Sequence, residues 1–124
     1  MSNLYVHYPF CKQACHYCNF HFSTSKDGRD DMFNLIEKEF HLRSKELIDP
    51  IESIYFGGGS PSLISSKSIS GFINLIKDKF KFHQNIEVTI EVNPDDVTEE
   101  YLLQVKNAGI NRLSIGIQSF FEKD

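Results

Sequence analysis

Cys11, Cys15 and Cys18 are the only cysteines in the chain, and all three fall within the stretch PFCKQACHYCNF. A disulfide framework would leave one of three thiols over. Cross-links closing such short loops would also stabilise little. A CxxxCxxC loop instead offers three soft thiolates to one centre. Structural zinc wants four ligands in a tetrahedron, and His16 or His21 stands close enough in sequence to be the fourth. A [4Fe–4S] cluster has four irons, each normally held by one cysteine, so three thiolates leave one iron open to an outside ligand. Cluster, zinc and chemically idle thiols are the readings this loop allows by itself.

Four further features carry polar groups where chemistry needs them. IYFGGGSPS places the run Gly57–Gly59 directly after an apolar segment. Such a run is a flexible turn, or a place where backbone approaches a ligand with no Cβ in the way. Glu91 sits among apolar neighbours in IEVTIEVNP and is either a solvated carboxylate or a ligand contact. Gln118 ends the segment NRLSIGIQS, as a strand-terminal hydrogen bonder or as a second contact. His7 precedes the cysteine loop and Arg112 opens the last apolar segment; packing roles suit both as well as functional ones.

These residues need elements to position them. NLYVHYP, IESIYFGGG, IEVTIEVNP and NRLSIGIQS read as strands. Between them lie three helical patterns. The first spans about Asp30 to Leu47, with Phe33, Ile36, Phe40 and Leu47 near one face. The second is capped by Ser65 and places Ile69, Phe72, Ile73, Ile76 and Phe80 at helical spacing. The third is capped by Thr98, carries Glu99 and Glu100 in its first turn and ends at Gly109 as a C′ residue.

A β-α-β-α-β-α-β order implies parallel strands joined by right-handed crossovers. Strand alternation then selects the architecture. Leu4 and Val6 oppose Tyr5 and His7; Ile54 and Phe56 oppose Ser53 and Tyr55. Ile86, Val88, Ile90 and Val92 oppose Glu87, Thr89, Glu91 and Asn93; Leu113, Ile115 and Ile117 oppose Ser114, Gly116 and Gln118. A doubly wound sheet is covered on both faces and should be apolar on both phases. One persistently polar phase suits a partial α/β barrel with helices outside and chemistry at the strand C-terminal ends. The cysteine loop, the glycine run, Glu91 and Gln118 all fall there.

The 124 residues are 40% hydrophobic and 24% charged, with a net charge of −4. That suits one modest globular domain. It disfavours a nucleic-acid partner, which needs a cationic face. No apolar run approaches the ~18 residues of a membrane span, and MSNLYVHYPF has no export signal. A cytoplasmic location is the expectation, where thiols stay free for metals or chemistry.

Taken in order, LYVHYPFCKQACHYCNF, IYFGGGSPS, IEVNPDD and NRLSIGIQSF resemble the radical SAM superfamily. Within it they resemble the oxygen-independent coproporphyrinogen III oxidase group, and especially the HemW-type heme chaperones. The resemblance runs over essentially the whole chain. It implies a TIM-like partial barrel of the radical SAM type, with four parallel strands and crossover helices. It implies that Cys11, Cys15 and Cys18 ligate a [4Fe–4S] cluster whose open iron binds the amino and carboxylate groups of S-adenosylmethionine (SAM). It also implies Tyr5 and Tyr17 at the SAM site, Tyr17 near the adenine. Gly58, Gly59 and Ser60 would hold the SAM amino group, and Glu91 and Gln118 would add ribose or amino-acid contacts. Many relatives have Thr where Ser60 stands, and the hydroxyl is kept. In the family a reduced cluster cleaves SAM to methionine and a 5′-deoxyadenosyl radical.

Two departures bear on function. True coproporphyrinogen dehydrogenases of this family carry a further cysteine two residues after the third ligand; here that residue is Phe20. The resemblance therefore implies heme binding and delivery rather than porphyrinogen decarboxylation, with heme or porphyrinogen a partner of the full-length family. The family is also roughly three times longer. Residues 1–124 are expected to be the N-terminal portion of a radical SAM core domain, with later strands and a C-terminal domain absent. The chain by itself is expected not to turn over a substrate.

Overall fold

The computed structural model describes residues 1–8, 26–59 and 61–116, with backbone only over 26–31. Four strands, β1 (Ser2–Tyr8), β2 (Ile51–Gly58), β3 (Phe82–Val92) and β4 (Arg112–Ile115), alternate with three helices, α1 (Lys26–Arg43), α2 (Ser66–Lys79) and α3 (Glu99–Ala108). The strands are all parallel and lie in the order β1-β2-β3-β4. Each crossover thus joins neighbours in the same direction, and right-handed connections of that kind set every helix on one face. A doubly wound sheet would have to reverse its strand order to cover the second face. The sequential order is the partial-barrel arrangement that the strand alternation implies.

The covered face carries the apolar phase. Val6, Tyr8, Ile54, Phe56, Val88, Ile90 and Val92 are buried against Phe33 and Phe40 of α1, Ile69, Phe72, Ile73 and Ile76 of α2, and Val105 and Ala108 of α3. Phe72 is the hub. Its ring packs edge-on against Phe40 at 5.5 Å, Phe33 at 5.8 Å and Phe56 at 6.3 Å between centroids, geometry that aromatic quadrupoles favour. The other face carries the polar phase. Register aligns Tyr5 with Tyr55, Tyr55 with Thr89 and Thr89 with Arg112, so these four form one row across the sheet.

Local signals end the elements as expected at three places. The Ser65 side chain accepts a hydrogen bond from the Ser68 N–H at the start of α2. Thr98 accepts from Tyr101 N–H at the start of α3. Gly109 adopts φ 116° just after α3, where Ile110 N–H returns to the Val105 carbonyl.

Other boundaries differ from expectation. Helix α1 starts at Lys26 and ends at Arg43, with a 3₁₀ turn at Ser44–Glu46, rather than running from Asp30 to Leu47. Its first turn has no apolar periodicity to announce it. Leu47 is extended and joins the core from outside the helix. Phe80 likewise packs on the core from an extended C-cap position. Strand β3 begins at Phe82, four residues before Ile86, because Phe82 pairs with Ile51 through a polar stretch that apolar alternation does not mark. Asn111 precedes β4 and clamps β3 from the side. Its Oδ1 accepts from Val88 N–H at 2.8 Å, and its Nδ2 donates to the Ile86 carbonyl at 2.8 Å.

Candidate functional site

The polar face converges at the C-terminal ends of β1, β2 and β3. Tyr55 and Glu91 both project from it. Tyr55 stands opposite Thr89, which puts Glu91 diagonally one pleat further along the same face. The Tyr55 hydroxyl donates to Glu91 Oε2 at 2.9 Å. The Gly58 N–H donates to Glu91 Oε1 at 2.9 Å. Among the described residues, each carboxylate oxygen therefore has one fixed donor. A carboxylate offers about four lone-pair directions, so acceptor capacity remains on both oxygens.

Glycine makes that contact possible at two successive positions. Gly57 is buried, and a Cβ there would lie 2.7 Å from Glu91 Oε1 and 2.9 Å from the Tyr5 hydroxyl oxygen. Its missing side chain is the space in which the carboxylate and the phenol meet. Gly58 has φ 114°, and a Cβ there would lie 2.6 Å from the Tyr8 carbonyl oxygen. That left-handed geometry turns the Gly58 N–H toward Glu91. Gly59 N–H is committed to the Tyr8 carbonyl at 2.8 Å, so the turn is tied back to β1. A second tie lies just beyond, where Ser62 Oγ donates to Asp96 Oδ2 at 2.7 Å. The glycine turn is thus held to β3 and to the turn after it.

Tyr5 completes the group. Its ring stacks on Tyr55 at 5.7 Å with an interplanar angle of 23°. Its hydroxyl lies 3.3 Å from His7 Nδ1. Burial, then the Glu91 carboxylate, then Tyr55, push the Tyr5 phenol above its ordinary value, so it remains a neutral hydrogen-bonding group. Tyr5 is nevertheless 57% exposed, leaving an aromatic surface beside an acceptor-rich carboxylate. That combination suits a ligand carrying both an ammonium or hydroxyl donor and a flat ring. A groove of ≈ 440 Å³ also runs along β1 against α1. It is lined by neither Glu91 nor the glycine turn.

Of the residues expected at the site, Tyr5, Gly58 and Glu91 come together here, with Gly59 adjacent and His7 in contact with Tyr5. Arg112 stands apart, ion-paired at 3.2 Å with Glu87 on the exposed sheet face. Cys11, Cys15, Cys18, Tyr17, Ser60 and Gln118 lie outside the described residues. Tyr55 was not among the expected residues, and Gly57 entered only as part of the glycine run. Tyr55 shares the polar phase with Tyr5 and Glu91, and that shared phase was its sequence signal. Gly57 had none beyond membership of a glycine run.

Sequential parallel strands carry a glycine turn latched to a carboxylate at their C-terminal ends, an arrangement of the α/β-barrel class. The chain matches the family model of the radical SAM superfamily over residues 5–123, and it belongs to that superfamily. Among curated proteins it is similar to the heme chaperone HemW of Buchnera aphidicola subsp. Acyrthosiphon pisum, at 38% identity over 98% of this chain and 33% of that protein. It is 39% identical to HemW of Haemophilus influenzae, over 95% of this chain and 33% of that protein. It is 33% identical to an oxygen-independent coproporphyrinogen III oxidase of Synechocystis, over 95% of this chain and 26% of that protein. The chain thus spans about a third or less of the length of these relatives. Among solved structures, coproporphyrinogen III oxidase (HemN) from Escherichia coli, a radical SAM enzyme, superposes with a TM-score of 0.82 at 30% identity. That match covers 98% of this chain and 29% of the other. The partial-barrel fold is therefore that of the superfamily. Among the described residues, no helix is long and apolar enough to cross a membrane.

Proposed function

We propose that this chain is the N-terminal portion of a radical SAM core of the HemW type, holding a [4Fe–4S] cluster and S-adenosylmethionine in a protein that handles heme. The observation that carries the reading is the Glu91 carboxylate, locked by Gly58 N–H and Tyr55 and still able to accept further hydrogen bonds. The residues fit the cofactor. The space above Gly57, which a Cβ would fill, is walled by Glu91 and Tyr5, a cradle for a small polar group beside an aromatic one. The cysteine loop follows β1 in sequence and supplies three thiolates with no fourth, the donor set of a cluster with one open iron.

In this reading Cys11, Cys15 and Cys18 would hold the cluster by three of its irons and leave the fourth for SAM. Gly58, Gly59 and Ser60 bring backbone and a hydroxyl to the amino group. Glu91 and Gln118 accept from the amino-acid or ribose end, and Tyr5 and Tyr17 pack beside the nucleoside. When bound, the reduced cluster supplies the electron for cleavage of the SAM sulfonium, and the protein contributes ligation and orientation. The preset Glu91 carboxylate lowers the ordering cost of seating SAM. Shielding of the reacting centre from water falls to parts of the protein beyond these four strands.

A heme chaperone is favoured over a porphyrinogen oxidase by Phe20, which occupies the place of a further cysteine in true dehydrogenases. The HemW relatives are also the more similar ones, at 38% and 39% against 33%. Anaerobic reconstitution of the purified protein with iron and sulfide tests the reading. It predicts four irons and four sulfides per chain, broad absorbance, saturable SAM binding and retention of added heme. Zinc without sulfide, or a loaded cluster that does not bind SAM, would overturn it. In the full-length protein, consumption of coproporphyrinogen III with SAM cleavage would replace the chaperone with the oxidase.

A further inference from the structure

We propose that Tyr55 is the positioning residue for Glu91, a role resting on the reading of Glu91 as a SAM contact. Tyr55 sits on the middle row of the polar face, stacked under Tyr5 at 5.7 Å. A tyrosine hydroxyl is placed by two side-chain torsions, and here the stacked ring limits both. The hydroxyl therefore arrives at Glu91 Oε2 from a defined direction, at 2.9 Å. Glutamate is the opposite case. Three torsions separate its carboxylate from the backbone, and the last is broad and only two-fold. With Gly58 N–H as its sole donor, the carboxylate could pivot about Oε1. With Oε2 also held, its plane is set, and the remaining lone pairs point in fixed directions. Tyr55 thus decides where Glu91 can accept from a ligand.

The register explains why this residue serves. Tyr55 pairs with Thr89, so the Tyr55 side chain reaches Glu91 along the sheet diagonal that long side chains span. Phenylalanine at this position would keep the ring, the stack on Tyr5 and the polar-phase packing, and would remove only the donor. Tyr55→Phe therefore separates positioning from a structural contribution.

The test uses two readouts. In the purified protein without added cofactor, the Gly58 amide proton, followed by NMR, reports its bond to the carboxylate. Tyr55→Phe should shift it upfield and speed its hydrogen exchange several-fold, with the melting temperature lowered by only a few degrees. In the cluster-loaded protein, Tyr55→Phe should weaken SAM binding about 5-fold, less than the loss of a direct hydrogen bond to a charged group because the Glu91 carboxylate is loosened rather than removed. The double variant Tyr55→Phe/Glu91→Gln should bind SAM no worse than Glu91→Gln alone, because the two residues act as one unit. An unmoved Gly58 amide, or additive losses in the double variant, would overturn the positioning role. If Glu91→Gln leaves SAM affinity intact while the Gly58 amide still responds to Tyr55→Phe, the failure lies in the SAM reading of Glu91.

Discussion

Adding one methyl group at Gly57 should break the site and spare the fold. The Cβ of Gly57→Ala would lie 2.7 Å from Glu91 Oε1, and 2.9 Å from both Cε2 and the hydroxyl oxygen of Tyr5. Each of these atoms is the far end of a side chain that can swing away, so the core beneath need not move. Gly57 is not among the glycines with positive φ, and alanine there even gains ~0.4–1 kcal/mol from a stiffer unfolded chain. Restoring ordinary contact at 3.4 Å requires Glu91 Oε1 to move roughly 0.7 Å. A shift of that size away from the turn stretches its 2.9 Å bond from Gly58 N–H to about 3.6 Å, which is no longer a hydrogen bond. That lost bond roughly offsets the gain from the stiffer chain, while the displaced carboxylate loses its own contact to SAM, a hydrogen bond to a charged group worth about 1.5 kcal/mol or roughly 10-fold in affinity.

Gly58→Ala is the control. Its φ of 114° and a Cβ 2.6 Å from the Tyr8 carbonyl oxygen confront backbone rather than a side-chain tip. It should lower stability by ~2–4 kcal/mol, combining left-handed strain with displacement of β1. Urea denaturation and SAM binding to the loaded protein, measured on both variants, check the pair. Wild-type SAM affinity in Gly57→Ala, or equal losses of stability in the two variants, would refute the reasoning.

Cys15→Ser should abolish iron retention on reconstitution, since two thiolates cannot hold a cubane; full iron content by colorimetric assay would contradict the ligand assignment. Phe72→Ala should cost ~3–5 kcal/mol in urea denaturation, because the hub ring meets Phe33, Phe40 and Phe56 at once. Tyr101→Phe should raise stability by about 1 kcal/mol, because the Tyr101 hydroxyl is buried with no hydrogen-bond partner among the described residues. The same variant should change the alkaline limb of the stability curve. Burial, then Asp96, push the Tyr101 phenol up to about 12 from 10.0. The folded state therefore keeps its proton where the unfolded state has lost it. Stability from this group is intact below about pH 10 and falls as pH rises toward 12. Tyr101→Phe should flatten that fall, as read by denaturation between pH 9 and about 12.

Much of this protein is local, and local features are readable along the chain. The Ser65 and Thr98 caps, and the glycine after α3, depend on backbone geometry within three or four residues of each site. The two-residue alternation in β2 and β3 separates a core phase from a polar phase, because successive strand side chains point to opposite faces. With the connection order, that alternation was enough to imply a one-sided sheet with its chemistry at the strand ends. The polar start of β3 was hidden because tertiary pairing, not pattern, makes it regular. Phe82 is in a strand because Ile51 lies beside it.

The site itself was legible as a set of residue types and not as a geometry. Glu91, Tyr5 and the glycine run could be named. That Tyr55 reaches Glu91 follows only from the pairing of Tyr55 with Thr89, a relation between residues 34 positions apart (89 − 55) that no local pattern encodes. Nor can a row of three glycines say which one yields space and which one turns the chain. Gly57 yields space because Glu91 and Tyr5 arrive above it from two other strands, and Gly58 turns because the Tyr8 carbonyl lies against it. Strand register is set by packing of the apolar phase on the far side of the sheet, so the same burial that hides Phe56 and Ile90 decides how Tyr55 and Glu91 meet.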